Sequence, residues 1–122
     1  MNKIIIELRE MMFDDVRNGI KVATLRKGKR DYPLGNTVLI GDKGRNCVLI
    51  DVKSLEEKTI ADVTDNDAKV EGYANRQELI DVMSDIYGDV KESTVVTQVH
   101  FDFIGTPNYG YFLNMINGED KK

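Results

Sequence analysis

The spacing of apolar residues changes from segment to segment along this chain, and each change marks an element. Residues 4 to 8, IIIEL, are a short apolar run that predicts a first strand. Leu8, Met12 and Val16 then recur at a spacing of four, with Met11 and Phe13 widening the stripe into a helical face, and Asn18 and Gly19 supply a stop. From Val22 to Arg26 the residues alternate: Ala23 and Leu25 point to a core, while Thr24 and Arg26 share the opposite face with Val22. Lys21 has the wrong parity for the Thr24 face, but it follows Gly19 closely enough for irregular backbone to turn its long side chain over.

Residues 32 to 42, YPLGNTVLIGD, predict a turn leading into a strand, and DKGRN a hairpin turn before a strand at 46 to 53. Two helix starts follow. Thr64 with Asp67, and Asn75 with Glu78, have the capping-box spacing. The first helix is expected to stop at Glu71 and Gly72. The second carries Leu79, Val82, Met83 and Ile86 as one apolar stripe and ends at Gly88. In residues 95 to 104, VVTQVHFDFI, Val95, Val99, Phe101 and Phe103 face one way and Val96, Gln98, His100 and Asp102 the other, which predicts a long strand. In the tail, Tyr111, Phe112, Leu113 and Ile116 are expected to pack on a barrel, and residues from Glu119 onward to be disordered.

This order predicts a small α+β domain, a β-barrel with flanking helices. A chain of 122 residues suits one domain, with a boundary expected between residues 1–106 and a tail at 107–122. No apolar run approaches the roughly 20 residues of a membrane span, and the isoleucines near the N-terminus are too few for a secretory signal. A cytoplasmic protein without membrane contact is expected.

Candidate chemistry is narrowed by scarcity. One cysteine, Cys47, lies within CVLIDV and reads as a core thiol; one histidine, His100, makes a metal centre or a histidine-dependent triad improbable. Neither metal nor organic cofactor is expected. The net charge of −4 argues against strong nonspecific binding to long nucleic acid. Yet Lys21, Arg26, Lys27, Lys29 and Arg30 form a basic run with no acid among them, whereas Glu56, Glu57, Asp62, Asp65, Asp67 and Glu71 load the middle of the chain with negative charge. The basic run is either a solvated loop or an anion or nucleotide site.

The octapeptide GIKVATLR, residues 19 to 26, fits the pattern GxKxxTxR and is followed by Tyr32 and by LGNTVLI. Together with AKVEG at 68 to 72, QELIDVMSDIY and the closing aromatic strand, it resembles the ASCH domain family, over roughly residues 4 to 104. The resemblance implies a PUA-like β-barrel with helices. Family members similar in size and in the lysine and threonine spacing are bacterial N4-acetylcytidine amidohydrolases. Carried over by motif, their catalytic lysine, threonine and glutamate are Lys21, Thr24 and Glu71, and Arg26 matches the motif's arginine. Val22 and Ala23 depart from it where another threonine is common, and Lys27 stands where an acid is common.

The resemblance therefore implies hydrolysis of the acyl amide of a modified pyrimidine nucleoside. Thr24 would be the nucleophile and Lys21 its base, which requires the lysine to lose its proton more readily than usual. Glu71, near the negative pole of a helix, would donate or accept a proton or hold the substrate amide. Arg26 suits an anchor for a carbonyl or phosphate, Tyr32 a stacking surface for a base, and Lys27, Lys29 and Arg30 further substrate contacts. Two other readings remain open: a noncatalytic RNA-binding module, and a metal-independent ribonuclease.

Overall fold

The computed structural model describes residues 5–8, 12–41 and 47–105. Elements follow in the order β1 (Ile5–Leu8), α1 (Phe13–Arg17), β2 (Ala23–Lys27), β3 (Gly35–Gly41), β4 (Cys47–Thr59), a 3₁₀ turn (Ile60–Asp62), α2 (Asp65–Val70), α3 (Arg76–Tyr87) and β5 (Val95–Gly105). The strands form one five-stranded sheet in the order β1-β3-β4-β5-β2, with β1 parallel to β3 and the other pairs antiparallel.

The helix signals act as the side-chain chemistry predicts. Thr64 and Asp67 make a reciprocal capping box at α2, whose last turn runs into Glu71. Asn75 accepts from the Glu78 amide at α3, but the Glu78 carboxylate caps Ala74, so this box is shifted by one residue. Gly88 ends α3 with φ 80°. Helix α1 is shorter than the apolar stripe implies, because Leu8 belongs to β1 and the helix begins only at Phe13.

β4 runs further than its alternation predicts. Val48, Ile50 and Val52 are buried on one parity, then a bulge at Lys53 shifts the register so that Leu55 packs on the same core. A bulge inserts one residue, so the local pattern of period two breaks there while the strand continues. Residues 54–59, rich in charge, extend the ladder against β5. Cys47 falls on the half-buried parity of β4 rather than in the core, and burial pushes its thiol pKa up.

Two apolar clusters lie on the sheet. One joins Ile6, Leu8, Met12, Phe13 and Val16 to Leu39, Ile50, Val99 and Phe101; the other packs α2 and α3 on Leu25 and Val96 through Ala68, Leu79 and Met83. Val99 and Val96 fall on opposite parities of β5, as the alternation requires. Among the described residues no ladder joins β1 to β2, so the expected closed barrel is an open sheet with these strands at its edges. β1 has only four residues, and Leu8 of β1, Met12, residues of β2 and side chains of α3 line one cavity. The tail and the turn at 42–46 lie outside the described residues.

Candidate functional site

The exit from α1 sets the position of Lys21. Gly19 adopts φ 74°, and the amides of Ile20 and Lys21 both donate to the Asp15 carbonyl, at 2.9 and 3.0 Å. Val22 then donates to the Val70 carbonyl at 2.8 Å before β2 begins at Ala23. Lys21 therefore lies outside the strand, free of its parity, and its side chain is 2% exposed.

The Lys21 ammonium position is defined by one residue fifty positions away. Its Nζ donates to Glu71 Oε1 at 3.2 Å and to the Glu71 carbonyl at 3.0 Å, and it stands 5.6 Å from the centre of the Tyr73 ring. Glu71 is 1% exposed, and its second carboxylate oxygen, Oε2, accepts from Gln98 Nε2 at 3.0 Å. The turn after α2 makes this approach possible. Gly72 has φ 94°, and a Cβ there would lie 3.5 Å from both Asp15 Oδ2 and Lys21 Cβ.

A buried pair of this kind is held against a large desolvation cost. For Lys21 the cost prevails: burial lowers its pKa from the ordinary lysine value, with the Arg26 guanidinium adding to the effect, while Glu71 and, weakly, Asp15 pull the other way. A lysine in this setting gives up its proton more readily than one in water.

Thr24 and Arg26 share a face of β2, as their spacing predicts, and Arg26 Nη2 donates to Thr24 Oγ1 at 3.2 Å. Thr24 is buried. Lys21, Thr24, Arg26 and Glu71 all line one cavity of about 210 Å³, whose remaining wall is mostly apolar: Leu8 and Met12 on one side, and Leu79, Val82, Met83 and Ile86 of α3 on another, with Tyr73 and Tyr87. Leu25 also lines it, so both faces of β2 border the cavity along the free edge of that strand. Leu8 reaches it from β1, at the opposite edge of the sheet. The open seam of the sheet is thus where the chemistry-bearing residues meet. The volume falls below the roughly 300–1,000 Å³ of pockets for drug-sized ligands.

The other expected contacts lie elsewhere. Tyr32 packs against the first apolar cluster and does not line the cavity; the aromatic rings that do are Tyr73 and Tyr87. Lys27, Lys29 and Arg30 are exposed and also outside it. Their loop is fastened to β5: Thr97 Oγ1 donates to the Gly28 carbonyl at 2.8 Å and accepts from the Arg30 amide at 2.9 Å. Among the described residues no hydrogen bond joins Lys21 to Thr24, and no group of three or more His, Cys, Asp or Glu is placed to hold a metal ion.

Two contributors escaped the sequence reading. Gln98 had a visible signal, an amide in the middle of an apolar alternating strand, where burial demands hydrogen-bond partners. Tyr73 had none, because its approach to Lys21 depends on the turn at Gly72.

No family model matches the sequence, and no curated protein matches it. Solved structures do. An ASCH domain from Lactobacillus crispatus superposes with a TM-score of 0.63 at 14% identity, covering 81% of this chain and 79% of that one. ASCH from Zymomonas mobilis gives a TM-score of 0.62 at 12% identity, over 90% of this chain and 76% of that one. The chain has the ASCH-domain fold. A protein of Enterococcus faecalis shares it at a TM-score of 0.68 and 13% identity, over 89% and 85% of the two chains. The ASCH likeness read from GIKVATLR and AKVEG therefore agrees with the likeness of the folds, and in this ASCH fold both motifs contribute to one cavity. No helix among the described residues is long and apolar enough to cross a membrane.

Proposed function

We propose that this chain is an ASCH-family amidohydrolase that removes the acyl group from an N4-acylated cytidine, using Thr24, Lys21 and Glu71 and requiring no metal or organic cofactor. The observation that carries the reading is a buried lysine with lowered pKa, held by Glu71 on the wall of the cavity that Thr24 also lines. A neutral lysine amine has two N–H bonds and one lone pair. Both N–H bonds are accounted for by Glu71, through its carbonyl and Oε1, which leaves the lone pair for a proton.

The reaction then runs in two halves. Lys21 takes the Thr24 hydroxyl proton, directly or through one water, as Oγ1 bonds to the acyl carbonyl carbon and the carbonyl π pair moves onto oxygen. Arg26, bonded to Oγ1, favours negative charge on the attacking oxygen. Collapse re-forms the carbonyl and breaks the bond to N4, and the Lys21 ammonium returns its proton to N4, releasing cytidine. Water next attacks the acyl-threonine ester, Lys21 takes the water's proton, and Thr24 recovers it as the carboxylic acid leaves. Glu71 steadies the ammonium formed in each half. The apolar wall and the rings of Tyr73 and Tyr87 suit the flat base and the acyl methyl.

Incubation with N4-acetylcytidine, with cytidine followed by chromatography, tests this. Wild type is expected to release cytidine, and Thr24→Ala and Lys21→Met to lose roughly 100-fold or more. No cytidine from wild type retires the reading; full turnover by Thr24→Ala removes the nucleophile and leaves Lys21 activating water.

A second reading, noncatalytic RNA binding, is favoured by one observation: Lys27, Lys29 and Arg30 are exposed at and just beyond the end of β2, where they could follow phosphates. It predicts affinity for a single-stranded oligonucleotide that falls steeply with salt, without product.

A further inference from the structure

Gln98 is fully buried in the middle of β5, and its amide has only one orientation compatible with its neighbours. Its Nε2 donates to Glu71 Oε2 at 3.0 Å and to the Asp67 carbonyl at 3.3 Å, while its Oε1 accepts from Lys58 Nζ at 3.4 Å. The reversed amide would set oxygen against a carboxylate and a carbonyl, and NH₂ against an ammonium. Lys58 is itself held by Asp67 Oδ2 and Glu56 Oε1, both at 3.1 Å, and His100 Nε2 lies 3.3 Å from Glu56 Oε1. A neutral amide thus stands between the buried ion pair and a charged cluster on the outer part of the sheet.

We propose that Gln98 is a positioning residue: oriented by Lys58, it fastens Glu71 Oε2 so that Oε1 and the carbonyl are committed to Lys21. The kinetic part of this inference rests on the hydrolase reading; the hold on the ion pair does not. Lys21 reaches Glu71 from the cavity, and Gln98 reaches it from the sheet, where the register sets it between Leu25 and Glu56. With both oxygens bound, the carboxylate cannot rotate, and the Lys21 lone pair keeps one direction. Without a donor on Oε2, a buried ionised oxygen loses its partner and the charged form of Glu71 is disfavoured.

Substitutions at Gln98 therefore move Lys21 in opposite directions. The charged groups acting on Lys21 besides Glu71 are Arg26 and Asp15, on the α1–β2 side, while Lys58, paired with Asp67, contacts Gln98 from behind. Gln98→Leu weakens the ionised Glu71 and lets the Lys21 titration midpoint fall further; Gln98→Glu adds a second carboxylate and raises it. The experiment is an NMR titration of lysine side chains in the intact protein, with the Lys21 signal assigned by Lys21→Met, alongside kcat and KM for N4-acetylcytidine. Opposite midpoint shifts are expected, with kcat for Gln98→Leu down roughly 10- to 100-fold and KM little changed. Lys58→Met leaves Gln98 in place but removes its orienting cation; it is expected to lower the Lys21 midpoint and kcat in the same direction as Gln98→Leu, by less, and it serves where Gln98→Leu does not fold. An unmoved Lys21 midpoint in the Gln98 variants, or in Lys58→Met where those do not fold, overturns the inference. Unaltered kcat in an active enzyme does so too. Midpoint shifts in the variants together with no cytidine from wild type retire the hydrolase reading alone.

Discussion

The basic run between residues 21 and 30 has two ends that the fold treats oppositely. Lys21 is 2% exposed and paired inside the cavity, whereas Lys27, Lys29 and Arg30 stand in solvent. β2 itself records the change, buried at Ala23, Thr24 and Leu25 and then opening at Arg26 and Lys27. Cation density along the chain does not distinguish them. What does is cover: the turn at Gly72 and Tyr73 lies against Lys21 just before β2. Burial converts one lysine into a candidate base, and solvent leaves its neighbours as ordinary surface charges.

The most severe way to break this contrast is to strip Lys21 of its partner. Glu71→Ala leaves the buried Lys21 amine and the buried Gln98 amide each short of an acceptor and is expected to cost about 2–5 kcal/mol of stability, whereas Lys29→Ala should stay within about 0.5 kcal/mol. Urea unfolding of both variants checks it, and equal losses would show that the pair is not buried as described.

A smaller effect is expected at Gly72, whose φ of 94° favours glycine and whose added Cβ would meet Lys21 and Asp15 at 3.5 Å. Gly72→Ala should cost about 1–2 kcal/mol, read from the same unfolding curves, with Lys21 less well covered.

The pH dependence of stability sharpens the comparison further. The folded pKa of Lys21 lies below 10.5, its value without the fold. Between the two, the unfolded chain holds a proton that the folded chain has released, so stability rises with pH across that window and levels off above it. Below the folded pKa both states carry the proton, and the charged lysine contributes its full desolvation cost. Lys21→Met should lack this rise, and Lys29→Ala should keep it. Denaturant unfolding from neutral pH upward, taken as the difference from Lys21→Met, measures it.

The smallest effect belongs to the loop. Replacing Lys27, Lys29 and Arg30 together by alanine is expected to leave N4-acetylcytidine turnover unaltered, while flattening the salt dependence of any RNA binding by about one unit of slope for each phosphate no longer neutralised. A fall in turnover would bring the loop into the site.

Local chemistry was legible from the chain alone. The Thr64 and Asp67 capping box, the α3 stripe ending at Gly88, the two-faced alternation of β5 and the shared face of Thr24 and Arg26 all rest on contacts within a few residues, where side-chain period and hydrogen-bond reach decide the outcome. The motif likeness also put Lys21 and Glu71 together as candidates, although charge pattern by itself left the basic run undecided.

Tertiary structure decided the rest, because each remaining feature depends on contacts between distant segments. Lys21 meets Glu71 across fifty positions; Gln98 reaches the same carboxylate from the last strand; Tyr73 takes the place beside the cavity expected of Tyr32. A bulge at Lys53 carries β4 past the point where its alternation breaks, and the sheet stays open between β1 and β2, leaving the seam the cavity occupies. Periodicity tells which face a side chain takes, but what covers that face, and so whether a lysine is solvated or desolvated, is set by the packing of elements far apart in sequence.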